Sequence, residues 1–308
     1  EHYRRFGDLS LVRENLRAMD GVLEWFRGYL DPCGLLTKTM YWDFIDWSGP
    51  WGGTQGAPSC GGQKIVAIVS AMYVYVLREA AKLNVICGRQ STADEYRSLA
   101  DSTASAIQSL CYRADRGLYS DDLRGEYYSQ HMQVWCVLSG IAEGKAARKI
   151  MENALDLDAK CTFAYAYFWF RALETVGLYD KADAMMNRLR ALPALGCTTI
   201  PETPDAPRSD CHAWGAIAIY EFAAAILGVR TVDAAKKRIL IAPRIDGRDH
   251  ARGTVYTGIG KVFVEWTKKN GTFTLHVHAD GEGEKEICLP DGLSFVSLED
   301  DITCTCAI

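Results

Sequence analysis

The period of the hydrophobic pattern changes once along the chain, near Gly228, and this constrains the fold more than any other feature. Before it, apolar residues such as Leu9, Val12, Leu16, Met19, Leu23 and Phe26 recur every three or four positions, the spacing of an amphipathic helix. After it, short runs alternate or are rich in β-branched residues, as strands are. The expected class is mainly α with a C-terminal all-β domain.

The first helix starts at Asp8 or Ser10 and stops at Asp31-Pro32-Cys33-Gly34. Further helices are expected at 63–83, 92–111, 130–142, 145–154, 163–176, 181–192 and 212–227, eight in all. Short turns such as Glu143-Gly144 make consecutive helices antiparallel neighbours. No motif recurs at a fixed period, which favours a closed helical toroid over a solenoid. Six strands are expected at 238–243, 251–256, 261–268, 272–279, 284–289 and 293–298, forming a small antiparallel β-sandwich. The chain thus reads as a helical domain over 1–232 and a β-domain over 233–308.

At 308 residues the chain exceeds what one core usually serves, about 250–300 residues. A net charge of −5 with no basic stripe argues against nucleic acid as partner. No apolar run is long enough to span a bilayer, so no membrane partner is expected. The 11 cysteines lack metal-ligand spacing, and so many unpaired thiols point to a reducing compartment, the cytoplasm. The opening, Glu1-His2-Tyr3-Arg4-Arg5-Phe6-Gly7-Asp8, has no Met and no signal-peptide core, and reads like the interior of a longer protein. Oligomeric state is open, a homodimer being one option.

Three stretches carry polar and aromatic residues that burial alone does not explain. The long segment 37–59 contains Trp42, Asp43, Asp46, Trp47 and Trp51. Aromatic faces pack on sugar C–H groups and carboxylates accept from hydroxyls, so this set suits a sugar; the plain alternative is a Trp-rich plug over a helical core. In Ser129-Gln130-His131, Ser129 is a helix cap and His131 is either a pocket residue or structural. In the third stretch, Glu202 lies between Pro201 and Pro204, followed by His212 and Trp214. A carboxylate on stiff backbone near a His is a candidate acid/base group, against the commoner solvated loop Glu. Ser209 or Asp210 is expected to cap the last helix.

At these residues the chain resembles the α-L-rhamnosidases, family 78 of the glycoside hydrolases. Cys211-His212-Ala213-Trp214-Gly215, then Ile226-Leu227-Gly228-Val229-Arg230 and Ile241-Ala242-Pro243, resemble a run at the end of that family's barrel. Gly196-Cys197-Thr198-Thr199-Ile200-Pro201-Glu202 resembles the segment ending in its catalytic base. Ser129-Gln130-His131, Phe44-Ile45-Asp46-Trp47 and Arg252-Gly253-Thr254-Val255 have counterparts too, in order, from about Phe6 to Trp266.

The resemblance implies an (α/α)6 barrel, incomplete in this chain, and inverting hydrolysis of terminal α-L-rhamnosides without metal or organic cofactor. It implies Glu202 as general base, Trp47 lining the sugar pocket, and Trp42, Asp43, Asp46, Trp51, His131, His212 and Trp214 around the substrate. Two departures stand out. The aromatic next to the family's base is replaced by Pro201, and the family's general-acid motif has no counterpart here, leaving Asp43 and Asp46 as the only fallback. The alternatives are another glycan-degrading toroid enzyme, such as an unsaturated-glucuronyl hydrolase or lyase, and a non-catalytic sugar-binding chain.

Overall fold

A computed structural model describes residues 2–58, 62–203 and 209–308. The chain packs as two compact units, one of Asn15–Gly215 and one of Glu1–Glu14 with Ala216–Ile308.

The first unit is built from helical hairpins. α1 (His2–Phe6) and the first turn of α2 (Ser10–Arg27) group with the other unit; α2 begins where Asp8 accepts from the Ser10 amide, 2.8 Å, and hydroxyl. Then follow α3 (Ala67–Ile86) and α4 (Gln90–Cys111), α5 (Gln130–Leu138) and α6 (Gly144–Ala154), and α7 (Ala166–Thr175) and α8 (Asp183–Ala191). Each pair turns at a glycine with positive φ: Gly88 at 77°, Gly140 at 75°, Gly177 at 70°. The first helices of the pairs adjoin one another, α3 against α5 and α5 against α7. Their sequences fit that inner place: eight consecutive residues of α5, Gln130 to Val137, are buried. Outer helices bury one stripe, as in α4 with Ala93, Tyr96, Ala100, Thr103, Ile107 and Cys111. This is an arc of a helical-hairpin toroid.

The structure differs most from the expected helices in three places. The helix expected from 63 starts at Ala67, because Ile65 forms a β-bridge with Thr37 and the Gln63 side chain reaches Asp122. A hairpin of β1 (Tyr112–Arg113) and β2 (Leu118–Tyr119) separates α4 from α5. The helix expected at 212–227 is broken into a 3₁₀ turn (Ala213–Gly215), α9 (Ile217–Glu221) and a π-turn (Phe222–Ile226). Neither Ser209 nor Asp210 caps it: Ala216 holds the N-cap of α9 with no side-chain cap, and Ser209 accepts from the Cys211 amide instead.

The second unit contains a sandwich of two four-stranded sheets. One has the order β10 (Asp301–Ala307), β7 (Thr272–Ala279), β6 (Gly260–Lys269), β5 (His250–Thr257). The other runs β3 (Val229–Asp233), β4 (Arg238–Ile241), β8 (Glu284–Cys288), β9 (Ser294–Ser297), and the expected boundary at 232/233 falls within β3. Strict alternation sends Val262, Val264 and Trp266 of β6 and Phe273, Leu275 and Val277 of β7 into one core with Ile239, Ile241 and Ile287 of the facing sheet. Among the described residues this domain has eight strands rather than six, β3 and β10 being additional. It is also not purely antiparallel: β4 and β8 pair in parallel, because the chain passes through β5–β7 of the other sheet between them.

The π-turn ends in the same unit. Its free carbonyls are taken by groups from the following chain: Ala224 by Arg230 Nε (2.7 Å), Ala225 by the Arg244 amide (2.9 Å) and Ile226 by Trp266 Nε1 (2.9 Å). Gly228 (φ 77°) closes the helix, and a Cβ there would stand 2.3 Å from the Ala242 carbonyl carbon. Among the described residues no helix is long and apolar enough to cross a membrane. The ten described cysteines are free thiols, Cys60 lying outside the described residues.

Candidate functional site

The sequence-predicted residues form two groups in the helical unit. The first is built around the N-terminus of α5. Ser129, extended at φ −132° and ψ 156°, caps the helix by accepting from the Met132 amide. This directs His131 inward, fully buried, with Nε2 2.7 Å from Asp46 Oδ2. Asp46 is also fully buried and accepts from the Trp47 amide, the Thr162 amide (both 2.9 Å) and the Thr162 hydroxyl (2.5 Å). Trp51, 2% exposed, lies against His131 at 4.5 Å between ring centroids. Trp42 and Trp47 sit farther out with Phe44 between them, 5.0 and 5.1 Å from its ring. Trp42 is 59% exposed and Trp47 half-buried. Asp43 is separate, turned back onto the Thr39 amide and hydroxyl.

The second group is the loop 197–215. Pro204, expected to stiffen it, lies in 204–208, outside the described residues. The flanking segments are held by their backbones: the Glu202 amide donates to the Ser209 carbonyl (2.9 Å) and the His212 amide to that of Ile200 (2.7 Å). This pairing puts Glu202 Oε1 4.0 Å from His212 Nε2, with Glu202 only 4% exposed. The His212 ring lies 4.6 Å from that of Trp214, which is 43% exposed. Gly215 follows because a Cβ there would stand 2.5 Å from Ile200.

Both groups rest on one turn, Phe163–Tyr165, with Thr162 before it. Thr162 holds Asp46, Tyr165 packs edge-on against His131 at 4.5 Å, and Phe163–Tyr165 packs on Ala213–Gly215. Sequence reasoning missed Thr162 and Tyr165; segment 163–176 reads simply as helix, and only the Thr at its start hinted at anything else. A cavity of about 500 Å³ lined by Arg78, Ser139, Gly140 and Thr175 lies at the other end of α5, away from these residues.

Asp121, also missed, underlies the first group. It is buried and accepts from the Ser129 hydroxyl at 2.9 Å, the same hydroxyl that caps α5. Burial pushes its carboxyl up to about 7 from 3.8; the Ser129 bond opposes this and the neighbouring Asp122 reinforces it. The folded chain therefore keeps a proton that the unfolded chain releases at lower pH. The stability this provides is full below about pH 4 and lost as pH rises through about 7, up to about 4 kcal/mol for three pKa units. Asp121→Asn, whose carbonyl can still accept from Ser129, should raise stability at pH 8 and flatten its fall between pH 4 and 8. Denaturant melts across that range check this, and identical profiles for both proteins would refute it.

The helical hairpins are those of a six-hairpin glycosidase domain, whose family model the helical part of the chain matches. The chain belongs to the bacterial α-L-rhamnosidase family: residues 1–225 match the model of its six-hairpin glycosidase domain and residues 228–295 that of its C-terminal domain. Among solved structures it is similar to a GH78 rhamnosidase of Bacillus sp. GL1 (24% identity, TM-score 0.81, 94% of this chain and 32% of that one). It is similar to an α-L-rhamnosidase from Aspergillus terreus (15% identity, TM-score 0.80, 99% and 38%). A third is the Streptomyces avermitilis α-L-rhamnosidase complexed with L-rhamnose (18% identity, TM-score 0.77, 99% and 32%). The chain thus spans about a third of the length of these proteins. No curated protein matches it.

Proposed function

We propose that this chain supplies the base and sugar-binding part of an inverting α-L-rhamnoside hydrolase. The observation that carries the reading is Glu202: a carboxylate 4% exposed, 4.0 Å from His212, in the domain that matches the family. In inverting hydrolysis a carboxylate removes a proton from the water attacking the anomeric carbon, while an acid about 6.5–9.5 Å away protonates the leaving oxygen. Glu202 is the base. His212 orients it or binds a hydroxyl, and Trp47, Trp42 and Trp214 offer faces for the sugar. Trp51, Asp46 and His131 are too buried to meet substrate, and Asp43 is engaged by Thr39. Neither aspartate suits the acid, which this reading leaves to a carboxylate outside the two groups described. The free thiols support a cytoplasmic setting.

The test is a panel of aryl glycosides with the full-length gene product, following product anomers by NMR. Release from the α-L-rhamnoside with first-formed β-L-rhamnose supports the proposal. Turnover of an unsaturated glucuronide instead, or retention of the α-anomer, rejects it. Binding of L-rhamnose without turnover would leave a sugar-binding chain and remove the base assignment.

A further inference from the structure

We infer that Asp46 and His131 form a buried clamp that positions Trp47 for the sugar without touching it. The inference rests on the sugar-site reading above and assigns the two residues a part in it that substrate contact does not explain.

A carboxylate offers about four lone-pair positions. Asp46 fills them with protein donors from three stretches of chain. Oδ1 accepts from the Trp47 amide (2.9 Å) and the Thr162 hydroxyl (2.5 Å), and Oδ2 from the Thr162 amide (2.9 Å) and His131 Nε2 (2.7 Å). No position is left for a hydroxyl of a ligand. Nε2 faces an oxygen that can only accept, so the His131 proton sits there. Its Nδ1 has no hydrogen-bond partner among the described residues, and the ring is enclosed by Trp51 on one side and Tyr165 on another, each at 4.5 Å. The Tyr165 hydroxyl is itself fixed by Trp135 Nε1.

The Trp-rich segment therefore grips one histidine at two points, Asp46 by hydrogen bond and Trp51 by ring contact. Between those points the chain arches through Trp47, Ser48, Gly49 and Pro50. The arch is tied again by the Ser48 hydroxyl on the Lys160 carbonyl (2.9 Å). Behind it, the Gly56 carbonyl receives the amides of Ile45 (3.0 Å) and Asp46 (3.2 Å). Gly56 must be glycine: its φ is 82° and a Cβ would stand 2.6 Å from the Phe44 ring, which supports Trp47. Trp47 is the half-buried member of this set, and its amide donates directly to Asp46 Oδ1, so the clamp reaches its backbone. Small misplacements of a binding group cost up to about 100-fold in rate, so a rigid mount for one sugar face has a direct functional effect.

The experiment has two arms. Amide exchange over residues 44–51 reads the clamp, and calorimetric titration with L-rhamnose reads the site. Thr162→Val and His131→Leu are expected to speed Trp47 amide exchange, and to weaken L-rhamnose binding, by about 10-fold or more. His131→Gln, which keeps an N–H donor near Asp46, should recover most of both. In a Trp47→Ala background, His131→Leu should weaken binding no further, since the histidine acts through that tryptophan. Unchanged exchange overturns the clamp. So does faster exchange with unchanged affinity, or additive losses in the double variant. Should His131→Leu fail to fold, Thr162→Val and His131→Gln decide by the same readings. If the wild-type protein binds no L-rhamnose, the sugar reading falls and the exchange arm alone decides the clamp.

Discussion

Replacing Glu202 with glutamine is expected to lower rhamnoside hydrolysis by about 10²–10⁴-fold, the usual contribution of a general base, with little change in KM. The side chain keeps its shape and loses the basicity that water activation needs. The loop should survive, because Glu202 is placed by backbone bonds, its amide to Ser209 and that of His212 to Ile200. Initial rates on an aryl α-L-rhamnoside, beside thermal melts of both proteins, measure the effect. A second signature separates a base from a structural carboxylate. In Glu202→Ala, azide should attack the anomeric carbon directly, expel the aryl alcohol and restore turnover as the inverted glycosyl azide, since azide needs no base. Near-normal turnover of Glu202→Gln, or no azide product from the alanine variant, would remove Glu202 from the mechanism.

The largest effect on stability is expected at Trp266. Its ring is fully buried in the sandwich, tilted against Phe273 at 6.0 Å, and its Nε1 holds the Ile226 carbonyl. Trp266→Ala should cost about 3–5 kcal/mol for the lost burial and cavity. A further 1–3 kcal/mol or so follows from leaving a buried carbonyl unpaired. Trp266→Phe restores most of the volume but not the hydrogen bond, so it should show only that smaller loss. Chemical denaturation of the three proteins resolves the two contributions. A loss below about 1 kcal/mol for the alanine variant would mean that the core closes around the gap and that the carbonyl finds water.

Most elements were legible because their signals are local. The alternation of β6 and β7 and the 3–4 spacing of α4 each follow from one face meeting a core. β10 carried the same signal, with Ile302, Cys304 and Cys306 turned inward and Asp301, Thr303 and Thr305 outward, once cysteine is read as a small hydrophobe. What could not be read depends on distant partners. Nothing local in 212–227 announces a π-turn, whose carbonyls are held by Arg230 just beyond it and by Arg244 and Trp266 from farther along the chain. The parallel pairing of β4 with β8 depends likewise on how three intervening strands leave for the other sheet. At the site, the residue types of the Trp segment and of the 197–215 loop were readable, but their division was not. Trp42 and Trp51 look equivalent in sequence, yet one is 59% exposed and the other 2%. Asp46 looked like a sugar ligand until Thr162, 116 positions away, appeared on its oxygens.

The three carbonyls at the end of the π-turn bear on how such chains can be recombined. A cassette cut between residues 225 and 228, where the two family matches meet, would leave the helix with its acceptors stripped and the sandwich with orphaned donors. Both halves would have to find new partners for groups that are buried and paired when intact. A border drawn ahead of Ala216 would instead transplant helix and donors together. The last helix thus travels with the strands that follow it, and swaps among relatives should respect that partnership rather than the point where the hydrophobic period changes.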